Sequence, residues 1–303
     1  MNDMQKEVSI LIVHWNTAQL LKQCIDSIFA TAENLDIEIL VIDNASNADT
    51  VNEIKTEIEG VNFILCSENL GFPNAVNLGL KQATGKYLLF AHPDILFTPS
   101  SIQTMLAFLD KNPQAGIVGG NLYYPDGSFN RCSIKGRSIK RKILEFTYSF
   151  RRFFKRVPMI YEYLVSQNNA YFWDHQDTSE SEEIWNACMM ARREVYEAIG
   201  GFCEDFFVWF ADVDWCYRAR KNSWMSYYLK EAKVIHYELQ SRDYLDNEAT
   251  KYKVDAFLVY GRLRKDMYTL LKRQRKFALL LISIMLDKML LGVVHTQRFF
   301  ARQ

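Results

Sequence analysis

Apolar and polar positions along the chain alternate between two periods. Residues 8–14 (VSILIVH) form an almost unbroken apolar, β-branched run, the pattern of a strand buried on both faces. Residues 37–43 (IEILVID), 61–66 (VNFILC), 86–91 (KYLLFA) and 115–120 (AGIVGG) repeat it. Helical spacing fills the gaps between them. One helix runs from Asn16-Thr17, which can cap it, to about Thr31. Others run from about Asp49 to Glu59, from about Asn74 to Ala83 with a stop at Thr84-Gly85, and over about 100–111. Strands alternating with helices predict βαβ units and a parallel, doubly wound α/β sheet. Such sheets bind ligands beyond their C-terminal strand ends. Asn16, Asp43, Asn69 and Asp94 all fall just past such ends.

The second half is less regular. Tyr124-Pro125-Asp126-Gly127 reads as a turn. Residues 131–156 then hold ten Lys/Arg and one acid, Glu145. Ile143, Leu144, Phe146, Phe150, Phe153 and Phe154 interleave with the charges, which predicts a basic amphipathic helix. Its charged side is either a solvated face or a surface for a membrane or a lipid-diphosphate acceptor. Asp174 to Glu183 reads as an acidic, irregular stretch, and a helix and strands resume from Ile184 to about Tyr237. A helical tail from 250 contains the apolar run Phe277 to Leu286, broken by Asp287-Lys288. That run falls short of the roughly 20 residues a membrane span needs. Its flanks, Lys272, Arg273, Arg275 and Lys276 before and Arg298 and Arg302 after, suit an interfacial helix over 272–302 on anionic lipid, or a terminal helix packed on the domain.

Composition narrows the class. The chain has 303 residues, 49% of them hydrophobic and 14% aromatic, which is ample for one large domain and excludes a disordered protein. Its 36 basic and 36 acidic residues cancel, and no recognition motif accompanies the basic stretch, so nucleic acid is not an expected partner. The six cysteines lack CxxC or zinc-ribbon spacing and read as buried or incidental thiols in a reducing compartment. Met1 to Glu7 is short, polar and not basic, so no signal peptide is expected. The implied location is cytoplasmic, with peripheral attachment at the inner face of the cell membrane.

Candidate chemistry gathers at two places. One is Phe210-Ala211-Asp212-Val213-Asp214-Trp215-Cys216, followed twenty residues on by His236. The other is His92-Pro93-Asp94-Ile95. Together they offer carboxylates and an imidazole where a divalent cation and a general base can meet.

In order along the chain, VSILIVHWN (8–16), VIDNAS (41–46), NLGFPNAVNLG (69–79), Pro93-Asp94, MARREVYEAIGGF (190–202), FFVWFADVDWCYR (206–218) and Val234–His236 resemble glycosyltransferase family 2. The resemblance is to its bacterial rhamnosyltransferase-like branch. It implies the GT-A fold: a doubly wound, mostly parallel α/β sheet with a Rossmann-like nucleotide-binding half, an acceptor half and a helical tail. It implies a transferase domain over 1–240, made of a nucleotide-sugar half (8–120), an insertion (121–183) and an acceptor half (184–240), with the tail over 241–303.

The implied activity is inverting transfer from a nucleoside diphosphate sugar, dTDP-rhamnose or a UDP-hexose. The acceptor is a saccharide, lipid-linked, in cell-surface polysaccharide synthesis. Asp43 and Asn44 would contact base or ribose. Asn16 and Asn69 would bond base, ribose or loop backbone, or cap. Gly71 would admit the donor closely, and Asn74 would cap its helix or touch the donor.

Asp94 and His236 would hold Mg²⁺ or Mn²⁺ against the diphosphate. His92 stands where the family carries a first acid, which leaves a single carboxylate. Asp212 would be the general base. Asp214 would orient it or cap the following helix. Trp185 and Asn186 would lie on the acceptor side, with Trp185 stacked on a sugar or packed in the core. Ala211 and Cys203 depart from acids usual in the family.

Two other classes remain. A non-catalytic sugar-nucleotide-binding subunit would fit the departures at His92, Cys203 and Ala211. A sugar nucleotidyltransferase would need a Gly-rich phosphate loop with a basic residue near the N-terminus, and none is present.

Overall fold

The computed structural model describes residues 6–32, 34–130, 132–134 and 175–237, with residues 265, 266, 268–270, 272 and 273 as helix. The chain divides into two compact units, one of Met1–Gly136 and Trp173–Val259, the other of Arg137–Phe172 and Tyr260–Gln303. The architecture below belongs to the first. Of the basic stretch 131–156 only 132–134 are described, and of the segment 272–302 only the first two residues; the rest of both lies outside the described residues. Among the described residues no helix is long and apolar enough to cross a membrane.

The expected βαβ units are present: β1 (Val8–His14), α1 (Ala18–Thr31), β2 (Ile37–Asp43), α2 (Ala48–Glu57), β3 (Asn62–Leu65), α3 (Phe72–Gln82) and β4 (Tyr87–Ala91). There follow β5 (Ile95–Phe97), α4 (Ser101–Lys111), β6 (Ala115–Tyr123), β7 (Ser133–Ile134), β8 (Ser179–Ser181), β9 (Glu183–Ile184), β10 (Cys188–Arg192), α5 (Arg193–Ile199), α6 (Ala211–Lys221) and β11 (Met225–His236). One sheet runs in the order β3-β2-β1-β4-β10-β6-β11-β5, with β8 also on β11. Its strands β1 to β4, β6 and β11 point one way, and β10, β5 and β8 run against them, so the sheet is mixed but mostly parallel.

Two expectations change. The stretch from 174 is not irregular where it is described: β8 pairs with β11 and β9 with β7. Residues 95–97, unassigned in the sequence, form β5 on the far end of β11.

Interior strands read as apolar runs because both faces are covered, and every residue of β4 is buried. Beneath the end of β4 an aromatic cluster fixes the floor of the site. Trp215, fully buried, stacks on Phe202 at 5.1 Å. Phe90 meets both edge-on at 5.1 and 5.6 Å. Phe72 continues the chain, 5.5 Å from Phe202 and 6.3 Å from the His92 ring. Burying each of these rings contributes on the order of 2–3 kcal/mol, and their edge-to-face packing makes a single arrangement preferred.

Candidate metal and catalytic site

Strand register assembles the site. The antiparallel pairing of β4 with β10 sets Ala91 opposite Cys188. The next residue, His92, donates its backbone N–H to the Ala187 carbonyl at 3.0 Å, which brings it beside Asn186. The antiparallel pairing of β5 with β11 sets Ile95 opposite His236. Tyr237 N–H then reaches the Asp94 carbonyl at 2.9 Å. Two residues about 140 positions apart, Asp94 and His236, are thereby neighbours.

Asp94, His236 and His92 offer ligand atoms that all lie within 4.8 Å of one another. His236 Nε2 is 3.4 Å from Asp94 Oδ1. That is longer than a good N–H···O bond. It is close to the separation of two ligands on one ion, since bonds of about 2.1 Å at a tetrahedral angle put them about 3.4 Å apart. Asp94 and His236 are buried and His92 is half-buried. A His/Asp donor set of this compactness fits a divalent cation. The sequence treated His92 as a missing acid, whereas the fold makes it a third donor.

The candidate base lies one residue away through Asn186. Asn186 Oδ1 is 3.1 Å from His92 Nε2, and Asn186 N–H donates to Asp212 Oδ2 at 3.2 Å. Val213 N–H donates to Asp212 Oδ1 at 2.8 Å. Asp212 sits in the first turn of α6, where the helix dipole favours a charged carboxylate. Burial nevertheless pushes it up to about 6, helped by the neighbouring Glu183 charge, and the two backbone N–H bonds offset this only in part. An acid poised there is ionised at neutral pH and still basic enough to take a proton.

Asp214 makes an ion pair within its own helix. Its carboxylate is buried and accepts from Arg218 Nε at 2.8 Å, one helical turn on. Arg218 in turn donates to the carbonyls of Ile199 and Gly201 at 2.5 and 2.7 Å. Asp214 thus ties α6 to the end of α5. Trp185 is half-exposed beside Asn186.

The residues expected on the donor side form a lattice. His14, at the end of β1, is fully buried; its Nδ1 is 3.0 Å from Asp43 Oδ1, and its Nε2 accepts from Thr17 N–H at 3.0 Å. Asp43 Oδ2 accepts from Ser46 N–H at 2.9 Å. Burial works against the Asp43 charge, but the bonds from His14 and Ser46 carry its carboxyl below the usual value.

Asn16 does not cap α1. It takes a left-handed φ of 54°, and its Oδ1 accepts from the backbone and side chain of Asn47 at 2.8 and 3.0 Å. Asn44 donates to Asn69 Oδ1 at 3.1 Å and accepts from Leu70 N–H at 2.8 Å. Gly71 has φ 78°, and a Cβ there would lie 2.4 Å from the Phe207 carbonyl oxygen, so only glycine fits. Asn74, inside the first turn of α3, donates to the carbonyls of Leu70 and Glu204 at 3.2 and 3.4 Å.

Sequence reasoning missed His14 and Asn130. The first was legible as a polar end to an apolar strand. Asn130 had no local signal: the hairpin after β6 carries it back beside Leu122, and its amide nitrogen lies 3.2 Å from His236 Nδ1. All six cysteines are free, and four are buried. Cys24 Sγ donates to the His92 carbonyl at 3.6 Å, and burial raises its thiol far above the usual range, as expected of an inert group.

A family model, Glycosyl transferase family 2, matches residues 9–200. The N-acetylglucosaminyl-diphospho-decaprenol L-rhamnosyltransferase of Mycobacterium tuberculosis is 25% identical over 265 residues, covering 82% of this chain and 83% of its own. The dTDP-rhamnosyl transferase RfbF of Shigella flexneri is 21% identical over 238 residues, 77% of this chain and 70% of its own. Among solved structures, a mannosyltransferase from Pyrobaculum calidifontis in complex with GDP-Man and Mn²⁺ superposes with a TM-score of 0.52 at 16% identity, over 77% of this chain and 57% of its own. That likeness establishes the GT-A fold.

Proposed function

This chain belongs to glycosyltransferase family 2, and we propose that it is an inverting, metal-assisted transferase that moves a sugar from a nucleoside diphosphate to a lipid-linked saccharide. The observation that carries this reading is the convergence of Asp94, His236 and His92, joined through Asn186 to an Asp212 held near 6. The donor assignment, dTDP-rhamnose first and UDP-hexoses next, rests on the rhamnosyltransferase relatives. An acceptor carried on a lipid diphosphate follows the same source.

In this mechanism Asp212 accepts the proton of an acceptor hydroxyl. The hydroxyl oxygen forms a bond to the anomeric carbon, and the bond from that carbon to the diphosphate oxygen breaks, its electron pair leaving with the nucleoside diphosphate. A single displacement, with Asp212 as its base, inverts the anomeric centre. Asp94, His236 and His92 would hold a divalent cation, Mn²⁺ or Mg²⁺, which when bound offsets charge gathering on the leaving diphosphate. Asn16, Asp43, Asn44, Asn69, Gly71 and Asn74 frame the nucleotide end. Trp185 and Asn186 stand on the acceptor side.

Residues 1–240 form the transferase domain in this reading, with the tail over 241–303. Basic residues in 131–156 and 272–302 draw the protein to the anionic inner face of the membrane.

Titration calorimetry with dTDP, UDP, GDP and their sugars, each with Mn²⁺ or EDTA, tests the proposal. Metal-dependent binding of one nucleotide supports it and names the donor class. Failure of all to bind overturns it. Donor binding with turnover unchanged by Asp212→Asn would instead favour a subunit whose catalysis lies elsewhere.

A further inference from the structure

We infer that Asn77, midway along α3, is a positioning residue for the transfer: it clamps the segment from Gly201 to Phe207 and so sets where Asp212 stands. The inference rests on the reading of Asp212 as the general base and deepens it.

Asn77 is buried, and its whole amide is committed to this segment. Its Oδ1 accepts from Phe202 N–H at 2.9 Å. Its Nδ2 donates to the Phe202 carbonyl at 2.8 Å and to Glu204 Oε1 at 3.1 Å. An amide that pairs with both polar groups of one residue fixes that backbone as a neighbouring strand would. The approach is close: a Cβ on Gly201 would lie 2.3 Å from Asn77 Oδ1, so glycine is required there. The Phe202 ring is held as well, stacked on Trp215 and edge-on to Phe90 and Phe72.

A second tie runs to the same helix. Phe72 N–H, at the start of α3, donates to the Phe207 carbonyl at 2.8 Å. Between the two ties the chain forms no helix or strand, so its contacts give it its place. Three residues further, Phe210 takes φ 65°. A bulky side chain adopts that conformation only where its surroundings impose it. Asp212 follows two residues on, in the first turn of α6.

A residue that only filled the core would be apolar, as Ala75, Val76 and Leu80 are on the same helix. A buried amide is costly unless it is bonded, and this one bonds across 125 positions of sequence.

The test uses the full chain with Mn²⁺, dTDP-rhamnose as donor and a short-chain saccharide diphosphate lipid as acceptor. The half-exposed thiol of Cys203 reports on the clamp directly. Its modification by N-ethylmaleimide is mapped by peptide mass spectrometry against the buried thiols of Cys24, Cys132, Cys188 and Cys216. Asn77→Ala should speed modification of Cys203 about fivefold or more and leave the buried thiols protected. Displacing a reacting group by an ångström costs up to about a hundredfold, so kcat should fall about 10- to 100-fold with donor KM within about twofold. Donor hydrolysis by water, a small and mobile nucleophile, should fall less. Asn77→Asp should be as poor, since its carboxylate faces Glu204 and cannot donate to the Phe202 carbonyl. Adding Glu204→Gln returns a donor to that carboxylate and should recover kcat about threefold or more.

Faster Cys203 modification with wild-type kcat would make Asn77 structural only and overturn the inference. Unchanged modification would overturn it as well, because nothing would have been released. Should Asn77→Ala expose all the thiols together, the aspartate pair decides, and no recovery with Glu204→Gln sinks the proposal. If Asp212→Asn leaves turnover unchanged, the reading of the base falls first, and the inference with it, whatever Asn77 does.

Discussion

The loops after β1, β2 and β3 and the edge where β4, β5, β10 and β11 meet use the same residue types and finish them differently. In the loops, Asn16, Asp43, Asn44 and Asn69 turn their side chains to one another, to Asn47, or to backbone N–H groups. Asp43 is held ionised there by His14 and Ser46. At the edge, two imidazoles and a carboxylate converge, and Asp212 is pushed up to about 6. Groups that satisfy each other make a rigid frame. Groups that burial drives toward neutrality keep unspent chemistry. In the proposed reading the loops hold the nucleotide's shape and the edge carries the reaction.

The largest break in that comparison is at Asp212. Asp212→Asn should lower kcat at least about a hundredfold, the usual scale for loss of a general base, with donor affinity kept. Stability should not fall with it. The carboxyl is raised from 3.8 to about 6 in the folded protein. The folded state therefore binds this proton more tightly than the unfolded chain does. Its contribution favours folding in full below about 3.8 and is lost as pH rises through the window to about 6, above which the folded state carries a desolvated charge. Asparagine removes the cost of that charge but leaves one of the two N–H donors, of Asn186 and Val213, without an acceptor, so the melting temperature at pH 8 should stay close to wild type. A clear drop there would mean that Asp212 is structural. In the wild-type enzyme kcat should fall about tenfold per pH unit below about 6, and a flat profile down to pH 5 would separate Asp212 from the proton transfer.

Next in size is Gly71→Ala, which attacks the junction between the two regions. A methyl group would meet the Phe207 carbonyl at 2.4 Å and force alanine into φ 78°. Strain of this kind costs about 1–3 kcal/mol before the clash is counted. The melting temperature should fall and kcat with it, because the displaced loop from Cys203 to Phe210 leads into Asp212.

Asp43→Asn should behave otherwise. With one acceptor oxygen left for His14 and Ser46, it should cost about 1–3 kcal/mol and leave the pH–rate profile unmoved. A shifted profile would erase the distinction between frame and reacting edge.

What the chain discloses about itself follows the same divide. β1, β2 and β4 were legible because a strand covered on both faces must be apolar throughout. Asp94 and His236 were legible as an acid and an imidazole at strand ends, and Asp212 as an acid in a family-like order. Antiparallel insertion of β10 between β4 and β6 leaves no local trace, since a register is a relation between distant segments. For that reason His92 read as a missing acid, and Asn130, brought in by a hairpin, did not register at all. β5 is three residues long and cannot show a period. Asp214 was ambiguous in sequence because an acid in a first helical turn serves the dipole, a neighbour or a ligand equally well; its partner Arg218 lies one turn on, and only the fold shows that the pair reaches back to α5.

The smallest expected effect is the most discriminating for the loops. Asn16 carries two duties: it tolerates φ 54°, and its Oδ1 accepts from Asn47 N–H and Nδ2. Glycine removes the side chain and relieves the backbone; alanine removes the side chain and keeps the strain. These bonds are exposed, so water replaces much of what is lost and each contributes at most about 1 kcal/mol. Asn16→Gly should therefore melt within about a degree or two of wild type, and Asn16→Ala should melt lower, by the roughly 1–2 kcal/mol that the left-handed region costs a residue with a Cβ. If Asn16 serves only the frame, both variants bind nucleotide in the order of their stability. If Asn16→Gly keeps its melting temperature and loses donor affinity, the side chain reads the nucleotide directly, and the loop region holds recognition chemistry of its own.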